Sequence, residues 1–210
     1  MGLRLEDARG VDLYLLDLVL RGCVPEGVRV LDVGCGRGRN IAFFVRRGDE
    51  AFGIEPDGEA LAATRRLVRR LGCPQVEERF RAESIETCTF PEASFDLVIC
   101  NGVLHFARDR VHFRELVGRL RDLLRPGSLC FTRLASTIGL EAPPGPAPGR
   151  GEGWALMPDG TEHFLADLPL LLETTAELGV ALEGSIKTVN VQNSRCMTTW
   201  VWRAPGQTSG

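Results

Sequence analysis

The chain has 210 residues, 44% hydrophobic and 25% charged, which suits one α/β domain and excludes wholesale disorder. A formal net charge of -3 gives no general attraction for a polyanion, so no nucleic-acid partner is expected. The charged opening Met1 to Arg9 does not read as a signal peptide, no apolar run approaches the roughly 20 residues of a membrane span, and seven cysteines show no C-x-x-C spacing, so a reduced cytoplasmic protein with no membrane segment and no metal site is the expectation.

Strand and helix alternate from Val28 onward. Val28 to Val33 is an apolar, β-branched run, as a buried parallel strand requires. A short helix is predicted over Asn40 to Arg47, closed by Gly48, and a second strand over Ala51 to Glu55. Asp57 is placed to cap a helix through Leu61 and Val68 that ends at Gly72. The basic pairs Arg65-Arg66 and Arg69-Arg70 lie on that helix and read as its solvated face. Gln75 to Phe80 is a weaker third strand and Phe95 to Cys100 a strong fourth. A helix over Asp109 to Leu124, stopped by Pro126-Gly127, leads to a fifth strand over Ser128 to Leu134.

Glu141 to Gly153, rich in proline and glycine, cannot hold a helix or a central strand and reads as a mobile surface loop. A helix over Leu165 to Leu178 follows, then strands over Val180 to Lys187 and Cys196 to Arg203 joined by a turn at Asn190 to Ser194. The pattern predicts an α/β fold: a doubly wound, mostly parallel seven-stranded sheet with an antiparallel C-terminal edge.

In such a sheet, ligands bind beyond the carboxyl ends of the strands where the strand order reverses. There the chain carries Gly34-Cys35-Gly36-Arg37-Gly38, whose glycines allow a sharp bend and close ligand approach, before backbone N–H groups that suit a carboxylate or phosphate. A dinucleotide fingerprint would need glycine where Arg39 stands. Asp32 would repel a pyrophosphate and attract an ammonium, and Glu55 is placed to accept from both ribose hydroxyls. The charges fit S-adenosylmethionine better than a dinucleotide.

Four segments in order, Val30 to Gly38, Gly53 to Asp57, Ser94 to Asn101 and Leu123 to Ser128, resemble those of the class I S-adenosylmethionine-dependent methyltransferases, and the resemblance runs from about Val28 to Arg203. It implies a Rossmann-like domain over residues 28–203 beneath an N-terminal helical cap over 1–27, with Val11 to Leu20 on the cofactor side, a lid insertion over 139–163 and a disordered tail over 204–210. It implies S-adenosylmethionine as methyl donor and S-adenosylhomocysteine as product. Asp32 with the backbone of Gly34, Cys35 and Gly36 would hold the methionine end, Glu55 and Pro56 the ribose, Ala82, Glu83 and Ser84 the adenine edge, and Asn101, Gly102 and Val103 the flank of the sulfonium. Arg81 departs from relatives that carry an acid there, which leaves Glu83 or a backbone carbonyl to accept from the adenine amino group.

His105 is the best-placed candidate general base, with a place in the pocket wall as the alternative. His163 and Trp154 are candidates to wall the acceptor pocket or to anchor the loop; Arg133 could face an anionic acceptor or form an ion pair; His112 reads as a surface residue. Asn101-Gly102-Val103-Leu104 lacks the Asn-Pro-Pro-Tyr type of motif found in nucleic-acid amino-methylating enzymes, so a small-molecule acceptor leads. A tRNA or protein methyltransferase working with a partner subunit, and a non-catalytic nucleotide-binding domain, are the alternatives.

Overall fold

A computed structural model describes residues 8–142 and 144–206. The parallel core is β1 (Arg29–Val33), β2 (Glu50–Ile54), β3 (Phe80–Arg81), β4 (Phe95–Asn101) and β5 (Leu124–Ser136). The antiparallel extension is β8 (Ala181–Leu182), β9 (Lys187–Val191) and β10 (Arg195–Arg203), and the order across the sheet is β3-β2-β1-β4-β5-β10-β8, with β9 also on β10. Cα registers put β8 opposite Trp202 and Arg203 and β9 opposite Arg195 to Thr199, along the same edge of β10. The two therefore fill one lane interrupted at residues 183–186, and the predicted seven-lane, mostly parallel sheet is the observed one.

Side chains alternate between the faces. Val30 packs with α1 (Leu13–Leu20), α2 (Ile41–Arg47) and α3 (Gly58–Arg70), whereas Leu31 and Val33 pack with α5 (Arg110–Leu123) and α6 (Leu168–Glu177). By the same alternation Asp32 enters the α1–α3 face, where it is buried. Asp57, Asp109 and Asp167 cap α3, α5 and α6 through their side chains.

Several boundaries differ from expectation. Gln75 to Phe80 is not a strand. Gln75 takes φ +50°, Val76–Arg79 forms the helical turn α4 with Glu77 and Glu78 at its positive end, and only Phe80 and Arg81 pair with β2. The strand expected over Val180 to Lys187 is broken after Leu182 and resumes at Lys187. The helix expected from Leu165 starts at Leu168, because Ala166 bridges to Ser136 and Asp167 is the cap.

The proline- and glycine-rich stretch is tied down within the described residues. Pro146 bridges to Ala155, Ala147 is buried, and the stretch leads into a hairpin of β6 (Trp154–Leu156) and β7 (Glu162–Phe164). Three-residue strands are too short to leave a periodic signal. Of the expected tail, Ala204 is packed and donates its N–H to Ser128 O, and residues 207–210 lie outside the described part, as do residues 1–7 of the expected cap. All seven cysteines are unpaired, and among the described residues no helix is long and apolar enough to cross a membrane.

Candidate functional site

Strand order reverses between β1, which continues to β2 on one side, and β4 on the other. The carboxyl ends of β1, β2 and β4 therefore open into one crevice, and the loop after β1 passes through it. Gly34, Gly36 and Gly38 all have positive φ. At Gly34 a Cβ would stand 2.4 Å from Val103 Cγ2, so the glycine is what lets the loop lie under the segment that follows β4.

The loop is locked from both sides. The amides of Gly34 and Cys35 both donate to Ile54 O at the end of β2, at 2.9 and 3.1 Å. The Gly36 N–H donates to Glu55 Oε2 at 2.9 Å, and the Asp57 N–H to Glu55 Oε1 at 2.9 Å. Thr64 on α3 donates its hydroxyl to Gly36 O at 2.6 Å. The N–H groups of Gly34, Cys35 and Gly36 are thus already in use within the loop and its neighbours. A diphosphate finds no amide cradle at these three residues.

Asp32 lies beneath this loop at 2% exposure. Burial pushes its carboxyl up to about 7, against the opposing pull of Arg39 and of an Ile41 N–H bond, while the Glu55 charge pushes the same way as burial. A carboxyl so placed is held near neutrality until a cation comes to share its site. Cys35 is buried too, and its thiol is pushed up chiefly by burial, so it fills space and is no nucleophile.

A cleft of about 280 Å³ opens beside the loop. Val33, Gly34, Pro56 and Val103 line it from the strand ends, and Glu83, Ser84, Ile85 and Glu86 from the segment after β3. Phe106, His112 and Leu116 complete the wall. No lysine or arginine is among the lining residues, and two glutamates are. Of the residues expected to bind a ligand, Gly34, Pro56, Glu83, Ser84 and Val103 thus share this cleft, with Glu55 and Gly36 joined to one another beside it. Ala82 and Cys35 are not among its lining residues. Arg81 is turned away: its guanidinium donates to Glu78 O and Thr89 Oγ1 and lies 3.8 Å from the Phe90 ring centre.

On the far side of β4, Asn101 meets a residue that the sequence reading took only as part of a helical segment. Asp12, the N-cap of α1, is buried and accepts from Asn101 Nδ2 at 3.1 Å and from Arg133 Nη1 at 2.5 Å, while its amide donates to Asn40 Oδ1 at 3.0 Å. Arg133 is accordingly an ion-pair partner. Asp12 ties α1 across the carboxyl ends of β4 and β5 and the start of α2. Its partners at 101 and 133 are 89 and 121 residues away, so no local pattern marks it.

His105 is buried at 7% exposure in a 3₁₀ turn, stacked 4.3 Å from His163 of the β6–β7 hairpin and edge-on to Phe106. Burial, then the His163 charge, pushes its pKa down to about 4, and its buried Nδ1 has no hydrogen-bond partner among the described residues. Covered, and with burial lowering its proton affinity, the ring would have to be uncovered and its pKa moved toward neutrality to serve as a general base. Trp154 donates its indole N–H to Arg108 O at 2.8 Å, which anchors the hairpin.

His112 is not a surface residue. It is 5% exposed, its Nδ1 accepts from the Arg108 N–H at 3.0 Å, and its Nε2 stands 3.3 Å from Glu86 Oε1. The signal was available: 112, 116 and 120 recur at helical spacing with Leu116 and Leu120, which places His112 on the inner stripe of α5.

Comparison with known proteins agrees with this geometry. Residues 30–127 match a family described as a methyltransferase domain. An uncharacterised methyltransferase of Mycobacterium tuberculosis is 35% identical over 112 residues, 53% of this chain and 53% of its own. A ubiquinone biosynthesis O-methyltransferase of Methylocella silvestris is 32% identical over 106 residues, 50% of this chain and 39% of its own. The chain thus spans about half or less of the length of these curated relatives. The crystal structure of 1,6-didemethyltoxoflavin-N1-methyltransferase from Burkholderia thailandensis, with 1,6-didemethyltoxoflavin and S-adenosylhomocysteine bound, superposes with a TM-score of 0.67 at 21% identity, covering 95% of this chain and 78% of that one. The glycine loop and its neighbouring strands are thus similar to a methyltransferase domain, on a Rossmann-like fold shared with a methyltransferase structure over nearly the whole chain.

Proposed function

We propose that the protein transfers a methyl group from S-adenosylmethionine to a small-molecule acceptor. The observation that carries this reading is the cleft at the reversal of strand order: acids line it, no cationic side chain does, and the buried carboxyl of Asp32 directly precedes the lining residues Val33 and Gly34. That donor set fits an ammonium and a sulfonium and opposes a diphosphate. Asp32 would hold the ammonium of the methionine end, and Glu55 the ribose hydroxyls with the lone pairs left over from Gly36 and Asp57. Ala82, Glu83 and Ser84 would run along the adenine edge, and Gly102 and Val103 beside the sulfonium. Asn101 would be kept in place by Asp12.

The donor, when bound, supplies an already activated methyl group, so this chain's residues need mainly to orient an in-line attack and keep water out. Buried His105 and the hairpin residue His163 would wall the acceptor side as neutral rings. The small-molecule class draws support from the acidic balance of the chain, the biosynthetic name of the Methylocella protein and the small molecule bound to the Burkholderia one. With methyl-labelled donor and fractionated cell extract, label is expected in the low-molecular-mass organic fraction. Label in RNA or protein would contradict the acceptor class, and binding of the donor with no transfer to any fraction would contradict the activity.

A further inference from the structure

The cleft contains two carboxylates, and the structure gives them different work. Each oxygen of Glu83 is anchored by one bond within its own loop: Oε2 accepts from the Thr89 N–H at 2.9 Å and Oε1 from the Thr89 hydroxyl at 2.6 Å. Glu83 therefore closes its own loop. Glu86 is half-exposed, its Oε1 stands 3.3 Å from His112 Nε2, and against the opposing push of burial neighbouring donors hold its carboxyl below the usual range. These contacts keep it an anion, which can only accept hydrogen bonds and has about four lone-pair positions to offer.

His112 is built to serve that carboxylate. Because its Nδ1 accepts the Arg108 N–H, the proton of the neutral ring sits on Nε2. That Nε2 is buried and makes no well-formed hydrogen bond among the described residues, with Glu86 Oε1 standing at 3.3 Å. A buried donor left short of a partner next to a ligand cleft carries a cost, and it is relieved if Glu86 is drawn in when the cleft fills. The remaining walls, Val33, Pro56, Val103 and Leu116, are apolar and suit the faces of a flat base. Such a base carries its hydrogen-bonding groups on its edge. The amino group of adenine is a donor and needs an acceptor there, whereas the oxo group of hypoxanthine is an acceptor and would meet a carboxylate unfavourably.

The geometry points to Glu86, positioned by His112 on α5, as the residue that accepts from the adenine amino group and makes the site selective for adenine over hypoxanthine. This rests on the donor assignment proposed above and goes beyond it in naming which acid reads the base. From the sequence alone, Glu83 or a backbone carbonyl is the expected acceptor for that contact.

The test is calorimetric affinity for S-adenosylhomocysteine and for its hypoxanthine counterpart, S-inosylhomocysteine, with the parent, Glu86→Gln, Glu83→Gln and His112→Asn. The parent should prefer the adenine compound by tenfold or more. In Glu86→Gln, whose amide can donate to an oxo group, the ratio should fall to near one or invert through both a loss for adenine and a gain for hypoxanthine. His112→Asn keeps an acceptor for the Arg108 N–H but cannot reach Glu86, and should shrink the ratio without inverting it. An unchanged ratio in Glu86→Gln, or a shift produced by Glu83→Gln instead, overturns the assignment while the donor reading stands. Failure of the parent to bind S-adenosylhomocysteine overturns both.

Discussion

Replacing Asp32 with Asn is expected to stabilise the ligand-free protein at pH 8 and to weaken S-adenosylhomocysteine at least tenfold. The native carboxyl is raised from 3.8 to about 7. Between those values the folded state holds a proton that the unfolded state has released, so folding stability falls as pH rises from about 4 to 7. The full shift of about three units corresponds to a ceiling of roughly 4 kcal/mol, and a gain of a few kcal/mol is expected for the amide, which can still accept from Ile41. His105 runs in the opposite sense. Its pKa is depressed from 6.5 to about 4, so the unfolded state takes up a proton first and stability rises with pH over that span. Urea unfolding of parent and variant at matched pH from 4 to 9 cancels the His105 contribution. The stability difference should grow through neutrality and level off above it, while ligand affinity rises with pH in the parent and is flat in the variant. Parallel stability curves would show that Asp32 is not the buried acid described.

Glu55→Ala should weaken S-adenosylmethionine and S-adenosylhomocysteine by tenfold or more, at least about 1.4 kcal/mol. Two causes are superimposed. The residue holds the amides of Gly36 and Asp57 and so shapes the loop, and it would also accept from the ribose. A ligand lacking the 3′-hydroxyl separates them: the parent should discriminate against it, and the Ala variant should not. Equal affinity of parent and variant for S-adenosylhomocysteine would remove Glu55 from the site, and equal discrimination would leave it only a loop-shaping role.

The parts of the fold that declared themselves in the sequence are those whose cause is local. β1, β2 and β4 are short runs of apolar residues buried on both faces, and the glycines at 34, 36 and 38 punctuate the loop where positive φ is needed. The caps at Asp57 and Asp109 sit at the starts of periodic helices. What did not show is what tertiary contact decides. Gln75 to Phe80 has only Val76 and Phe80 to suggest a strand, and most of it turns as a helix while β2 pairs only with Phe80 and Arg81. The β6–β7 hairpin is invisible because its strands are three residues long, and it is held by Trp154, Phe164 and the His105–His163 stack.

The site divides in the same way. Asp32, Glu55 and the glycine loop lie within 24 residues of one another and form a readable pattern. Asp12 looked like part of a helix, and only the closed fold sets it against Asn101 and Arg133. His105 was legible as a position but not as an environment: its burial under His163, which lowers its basicity, depends on an insertion 58 residues away. His112 could have been placed by counting from Leu116 and Leu120, and its charged neighbours at 110 and 114 masked that stripe.

The most direct measurement is parallel calorimetric titration of the ligand-free protein with S-adenosylhomocysteine and with NAD. Micromolar binding of the first, about 8 kcal/mol, with no saturable heat from the second, is the outcome expected of a cleft that offers carboxylates and no cation. Tight uptake of NAD by a protein that ignores S-adenosylhomocysteine would contradict it.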